Sequence, residues 1–290
     1  MQLFKMITNR FNLILSGFVL IACFTACSKN IPDNCKLGEG AQIFNYNSVD
    51  RQYILYKPQN LSDNAPLVIV LHGRDQNATD AAAFGFNAIA DTAQFAVCYP
   101  QGMNCTWDND KPGSKDVDFI RQLVAKLQVE HGFSPEHTFI AGFSEGGALC
   151  NILALEAGDV FEAFAVVSGQ IPNSIWNTKN PQTPLPMLFM HGLNDRTINI
   201  NGGGYADYIK LDDVVKYWRE FNECTSDTIV NINDNAARRV FGNGINQNEV
   251  WYYRLKNHEH VFPGDPFAPD SLLQSGISGA QEIWTFFKKW

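Results

Sequence analysis

Charge is scarce in this chain: 18% of its 290 residues are charged and 45% are hydrophobic. A chain of that balance is too apolar to stay disordered and long enough to bury a large core. Internal repeats, low-complexity tracts and a linker dividing two domains are all lacking, which leaves one globular domain of ordinary α/β size. Cations are the scarcer sign, 22 Lys and Arg against 30 Asp and Glu, so nucleic acid is not expected as a partner. No CxxC pair and no His/Cys cluster occurs, and no metal site is expected. The apolar run over residues 13–24 is too short for a full membrane span.

Lys5 and Arg10 precede that run, so residues 1–26 read as a removable signal peptide. Phe24-Thr25-Ala26-Cys27 sets a cysteine after a small residue and resembles the lipobox of bacterial lipoproteins, with Cys27 lipidated and Cys23 as the competing position. An ordinary signal peptide with an incidental cysteine is the alternative. Residues 27–38 then read as a polar tether and 39–290 as the folded domain. The expected location is the outer membrane or cell surface, held by the lipid only, or else the periplasm or medium. The leader carries two cations and no acid, so its loss takes the formal net charge from −8 to −10. Of the seven cysteines, Cys98 and Cys150 lie in apolar segments and read as buried thiols. Cys35, Cys105 and Cys224 are candidates for a disulfide in an oxidising compartment, with the pairing open.

Strands are predicted over residues 41–46, 52–57, 66–71, 95–99, 137–141, 164–168, 186–191 and 249–255, the first two joined as a hairpin through residues 47–50. Helices are predicted over 80–94, 116–131 and 146–158; in the second, Val117, Ile120, Val124 and Leu127 share one face. Apolar strands alternating with helices imply a mostly parallel sheet of about eight strands, helices on both faces and antiparallel strands at one edge. In such sheets the active site gathers at the carboxyl ends of the strands.

Gly142-Phe143-Ser144-Glu145-Gly146 fits GxSxG between a strand and a helix, the setting of a nucleophile elbow, in which a sharp turn lifts the serine hydroxyl above the sheet. A serine hydroxyl needs a general base within hydrogen-bond reach and a carboxylate to fix that base's tautomer. Asp195 and His260 follow in the expected chain order, each just past a strand end. His258 is the alternative base. The backbone N–H groups of Glu145 and of Arg74, in Leu71-His72-Gly73-Arg74, are the candidate oxyanion donors; losing one such donor costs roughly 3 kcal/mol in related chemistry. His72 reads as structural. The bland reading of Asp195 is a carboxylate that only terminates a strand.

Further blocks carry a resemblance: 51–58 with Leu71-His72-Gly73, Tyr99-Pro100-Gln101-Gly102 with Trp107, Asp116-Val117-Asp118-Phe119-Ile120, 141–147, Phe161-Glu162-Ala163-Phe164-Ala165, His191-Gly192 with Asp195, and His260-Val261-Phe262-Pro263-Gly264. In this order they resemble the polyhydroxybutyrate depolymerase and feruloyl esterase group of carbohydrate esterase family 1, within the α/β-hydrolase superfamily. The group's Gly-Gly-His-x-Trp-Pro-Gly block selects His260 over His258, while His258-Glu259 and Phe262 depart from it. The resemblance implies an α/β-hydrolase fold and hydrolysis of carboxylic esters through an acyl-serine intermediate, without a cofactor. Its expected substrates are feruloyl or acetyl esters of plant polysaccharide, or short hydroxyalkanoate esters. Trp107 and Trp176 are candidate contacts for a phenolic or sugar ring, and Arg74 a candidate cation for substrates bearing a carboxylate. A serine peptidase on the same fold, or a non-catalytic glycan-binding lipoprotein, are the competing readings.

Overall fold

The computed structural model describes residues 35–268 and 275–290. The leader, Cys23, Cys27 and most of the expected tether lie outside the described residues. The chain opens with strands β1 (Gln42–Tyr46) and β2 (Val49–Tyr56). The turn between them is two residues, not the four expected, because Asn47 and Ser48 both adopt positive φ (49° and 63°) and Tyr46 pairs with Val49. Two left-handed residues in succession match the right-handed twist of the flanking strands, and Asn tolerates that conformation well.

Strands β3 (Leu67–Leu71), β4 (Ala96–Pro100), β5 (Thr138–Phe143), β6 (Ala163–Val167), β7 (Met187–Gly192) and β10 (Val250–Leu255) form the parallel centre. With β8 (Ser226–Asn233) and β9 (Ala236–Gly242), the sheet has ten strands in the order β1-β2-β4-β3-β5-β6-β7-β10-β9-β8. The expected count of about eight omitted the β8–β9 hairpin, so antiparallel strands occur at both edges. Most of β8 is exposed, and its sequence Ser-Asp-Thr-Ile-Val-Asn-Ile-Asn holds no more than two apolar residues in succession, as an outermost strand can when it sees water. It therefore lacks the continuous apolar run of the central strands.

Each central strand is buried on both faces. In β3, Leu67, Ile69 and Leu71 join one core and Val68 and Val70 the other. The first core lies under α3 (Lys115–His131), α4 (Glu145–Glu156) and α6 (Leu211–Phe221); the second lies under α1 (Ala78–Ala82), α2 (Phe86–Ala93) and α7 (Gly279–Phe287). Each fully buried Val, Leu or Phe contributes about 1.5–3 kcal/mol relative to exposure. The helix expected over 80–94 is two helices. Asn77 caps α1 by a reciprocal capping box with Asp80, and Gly85 at φ 96° breaks the chain before α2.

Cys35 and Cys105 form a disulfide, which resolves the open pairing. Cys98 and Cys150 are buried free thiols, and Cys224 is half-buried and free. The disulfide ties the start of the described chain to the 102–107 loop at the carboxyl end of β4, beside the candidate site.

Candidate active site

Ser144 sits between β5 and α4 with φ 53° and ψ −115°. A non-glycine residue in that region is strained by roughly 1–3 kcal/mol. The surroundings over-determine it: Ser144 N–H donates to the Val167 carbonyl (2.9 Å), and its own carbonyl accepts from Ala148 N (2.9 Å). The flanking glycines are steric necessities. A Cβ on Gly142 would stand 2.3 Å from the Gly146 carbonyl oxygen, and one on Gly146 would stand 2.5 Å from that of His72.

Above the elbow the structure brings together Ser144, His260 and Asp195. His260 Nδ1 lies 2.7 Å from Asp195 Oδ2, and its Nε2 lies 2.8 Å from Ser144 Oγ. Because the carboxylate only accepts, Nδ1 carries the proton and Nε2 presents its lone pair to the serine hydroxyl. Asp195 is fully buried, and its Oδ1 accepts from Thr197 N (3.0 Å) and Ile198 N (2.8 Å). Its turn is thus self-bonded, as the bland reading holds, yet the second oxygen remains free for the histidine. His191, at the end of β7, donates from Nε2 to the Ile198 carbonyl (2.8 Å) and braces the same turn. Burial depresses its pKa, which keeps it neutral beside Asp195.

His258 does not face the serine. It is buried, donates from Nε2 to the Val261 carbonyl (3.0 Å), and its own carbonyl accepts from Asn194 N (3.1 Å), so it joins the loops that carry Asp195 and His260. Phe262 stacks on Phe84 at 4.2 Å in the core below His260. The departure from tryptophan there is therefore a packing choice beneath the loop, while Glu259 points to solvent.

The N–H of Glu145 is the first of α4 and has no intrahelical acceptor. Gly73 N–H is taken by Gln76 Oε1 (2.9 Å), whereas Arg74 N–H engages no acceptor among the described residues. A Cβ on Gly73 would be 3.2 Å from Ser144 Cβ, which sets this loop against the elbow.

The Glu145 side chain has a place that the motif alone does not announce. Its carboxylate, 3% exposed, takes Arg74 Nη2 at 2.6 Å, Thr106 Oγ1 at 2.7 Å and Trp107 N at 3.1 Å. Burial raises its pKa, opposed by the Thr106 hydrogen bond and the Arg74 charge. One carboxylate therefore clamps the Arg74 loop, the 102–107 loop and the elbow together. His72 completes the brace. Its Nδ1–H donates to the Gly73 carbonyl (2.7 Å), and its Nε2 accepts from Gly102 N (2.9 Å). Burial lowers its pKa to about 4.

The geometry constrains three expected substrate contacts. Trp107 is 3% exposed, stacks on His72 and donates Nε1–H to the His72 carbonyl (2.8 Å); it is a wall of the site rather than an open face. Trp176, on α5 (Asn173–Trp176), is half-buried and packs edge-on against Tyr217 of α6 with the Lys179 ammonium 4.0 Å over its ring, so one face is taken by the chain's own cation. The Arg74 guanidinium is paired with Glu145 through Nη2 while its side chain stays half exposed, so it is a partly neutralised cation rather than a free one. Among the described residues no group of three or more His, Cys, Asp or Glu is placed to hold a metal.

Solved structures with this topology include an acetyl xylan esterase from Aspergillus awamori (TM-score 0.62, 16% identity, covering 81% of this chain and 98% of that one) and Est1E from Butyrivibrio proteoclasticus (0.54, 14%, 87% and 100%). The fold is that of the α/β-hydrolases. Within that class, residues 51–177 match the family described as esterase PHB depolymerase. Similar sequences include the bifunctional acetylxylan esterase/xylanase XynS20E of Neocallimastix patriciarum, 28% identical over 249 residues, which are 83% of this chain and 33% of that protein. Poly(3-hydroxyalkanoate) depolymerase C of Paucimonas lemoignei is 29% identical over 43% of this chain and 33% of its own length. Feruloyl esterase C of Emericella nidulans is 28% identical over 53% and 58%. The aligned part thus spans a third to somewhat over half of each of these relatives.

Proposed function

We propose that this protein is a serine esterase that cleaves carboxylic esters through an acyl-serine intermediate. The observation that carries the reading is the continuous hydrogen-bonded chain Asp195–His260–Ser144, at 2.7 and 2.8 Å, with the backbone N–H groups of Arg74 and Glu145 engaging no acceptor among the described residues. Ser144 Oγ attacks the ester carbon while its proton passes to His260 Nε2, and the carbonyl oxygen, now anionic, is met by the N–H groups of Arg74 and Glu145. The C–O bond to the alcohol breaks as His260 returns the proton to the leaving oxygen. Water, deprotonated by the same nitrogen, then releases the acid and restores the serine. No step requires a cofactor.

The named activities of the similar proteins favour acetyl or feruloyl esters of plant polysaccharide, with hydroxyalkanoate esters beside them. The reading includes export, with residues 1–26 as leader and Cys27 as lipid attachment site, supported by the basic and apolar pattern of that segment and by a disulfide that persists in oxidising compartments. The test is hydrolysis of methyl ferulate, 4-nitrophenyl acetate and a short hydroxybutyrate oligomer by the purified chain beside Ser144→Ala. Turnover that vanishes in the variant is the expected result; no turnover of any ester by the folded protein would refute the reading.

A further inference from the structure

With Trp107 buried and Lys179 over the ring of half-buried Trp176, an aromatic that stands open beside Arg74 is Tyr205, 72% exposed. Large exposed aromatics are commonly free to swing, but this one is held. Tyr208, 8% exposed, lies beneath it edge-to-face at 5.5 Å and donates its hydroxyl proton to Tyr205 Oη at 2.7 Å. The Arg74 guanidinium lies 5.5 Å from the centre of the Tyr205 ring. Arg74 is itself fastened to Glu145, the residue after Ser144, and its backbone N–H is a proposed oxyanion donor. The ring is therefore referenced to the elbow through one arginine side chain.

The loop that presents it is anchored at both ends. Gln170 Nε2 donates to the Asn199 carbonyl (2.8 Å), Ile209 N to that of Ile171 (3.0 Å), and Asn173 N to that of Asp207 (3.1 Å). Gly202 has φ 81°, and a Cβ there would meet the Tyr208 carbonyl at 2.4 Å. That close approach folds the loop tightly enough to bring Tyr205 back over Tyr208. An aromatic face kept in water at a fixed orientation invites stacking by another flat ring.

We propose that Tyr205 is a platform for a ring of the ester substrate, the aromatic ring of a phenolic acyl group or a sugar ring of the esterified alcohol. This rests on the esterase reading for its substrate class, but the platform is testable without turnover. Its ligand chemistry is a six-membered ring with a π or C–H face, and the Arg74 guanidinium borders one edge of the stack.

The test has two parts. In the inactive Ser144→Ala background, calorimetric titration with ferulate and with xylotetraose is compared with and without Tyr205→Leu; Tyr205→Phe, which keeps the ring, is the conservative control. In the active chain, the ratio of KM for a ring-bearing ester to KM for vinyl acetate is measured in the same variants. Loss of the platform is expected to weaken binding of at least one ring probe, and to raise the KM ratio, by about 3- to 10-fold, with Tyr205→Phe restoring most of it. Dependence of ferulate alone assigns the acyl ring, and of xylotetraose alone the sugar. Binding and KM ratios that move less than twofold in Tyr205→Leu would overturn the platform. Ring binding that depends on Tyr205 in a protein that hydrolyses no ester would instead retire the esterase reading and leave the platform standing.

Discussion

At the scale of single residues, the site depends on groups held in one protonation state by burial. His72 is the clearest case, because its Nε2 must stay unprotonated to accept from Gly102 N. A histidine whose folded pKa lies near 4 rather than 6.5 contributes stability that is full above about pH 6.5 and is lost as pH falls toward 4, since only the unfolded chain takes up the proton in that window. Between pH 7 and 4.5 the loss from this residue is roughly 2–3 kcal/mol. Urea unfolding at the two pH values should show it, and His72→Gln should remove most of that part of the slope. The three residues joined at the elbow give a second expectation. His260→Ala should lower kcat at least about ten-thousand-fold in steady-state kinetics, because the serine loses its base.

Among the elements, the 102–107 loop carries more of the site than its length implies. It is bonded to the Glu145 carboxylate through Thr106 and Trp107, its Cys105 carbonyl accepts from Asp75 N (2.9 Å), and the Cys35–Cys105 disulfide fastens it. Glu145→Ala should therefore lower kcat by about 10- to 100-fold with a smaller change in KM, because it frees the Arg74 loop, which carries one oxyanion donor, from the elbow and from the 102–107 loop that braces it; Glu145→Gln, which can still reach Thr106 and Trp107, should recover part of it. Steady-state kinetics that change KM alone would contradict this role. Removing the disulfide opens a loop closed across a sequence separation of 70 residues, for which chain entropy gives up to about 4 kcal/mol. Cys35→Ser should lower Tm accordingly in a thermal scan and make it insensitive to reductant.

Across the whole molecule, what the sequence disclosed follows from how each signal is written. The central strands were legible because burial on both faces makes them nearly continuous apolar runs, with Thr138, His191 and Arg254 as exceptions, and the elbow because Gly142 and Gly146 are forced by close contacts with Gly146 and His72. Asp195 and His260 followed from strand ends and chain order. The β8–β9 hairpin was not legible, since an edge strand such as Ser226–Asn233 carries no continuous apolar run. Helix α6 carries a legible signal of its own, Leu211, Val214, Val215 and Trp218 at helical spacing and all buried. The Glu145 clamp was invisible because it depends on which distant loops meet, the Tyr205–Tyr208 pair because it depends on how one irregular loop folds back, and the two tryptophans misled because sequence does not say which aromatic faces are already covered. Long-range ties also hold the edge hairpin to the helical layer: buried Arg51 of β2 pairs with Asp116 of α3 at 2.8 Å and donates to the Gln101 carbonyl. Arg51→Met should cost about 3–5 kcal/mol in denaturant unfolding, because it strands a buried carboxylate. The central claim is tested most directly by treating the protein with a fluorophosphonate ester and locating the adduct by peptide mass spectrometry. A single adduct on Ser144 that fails to form in His260→Ala is the predicted result; a folded protein that takes no adduct, or takes it on another residue, would contradict the account.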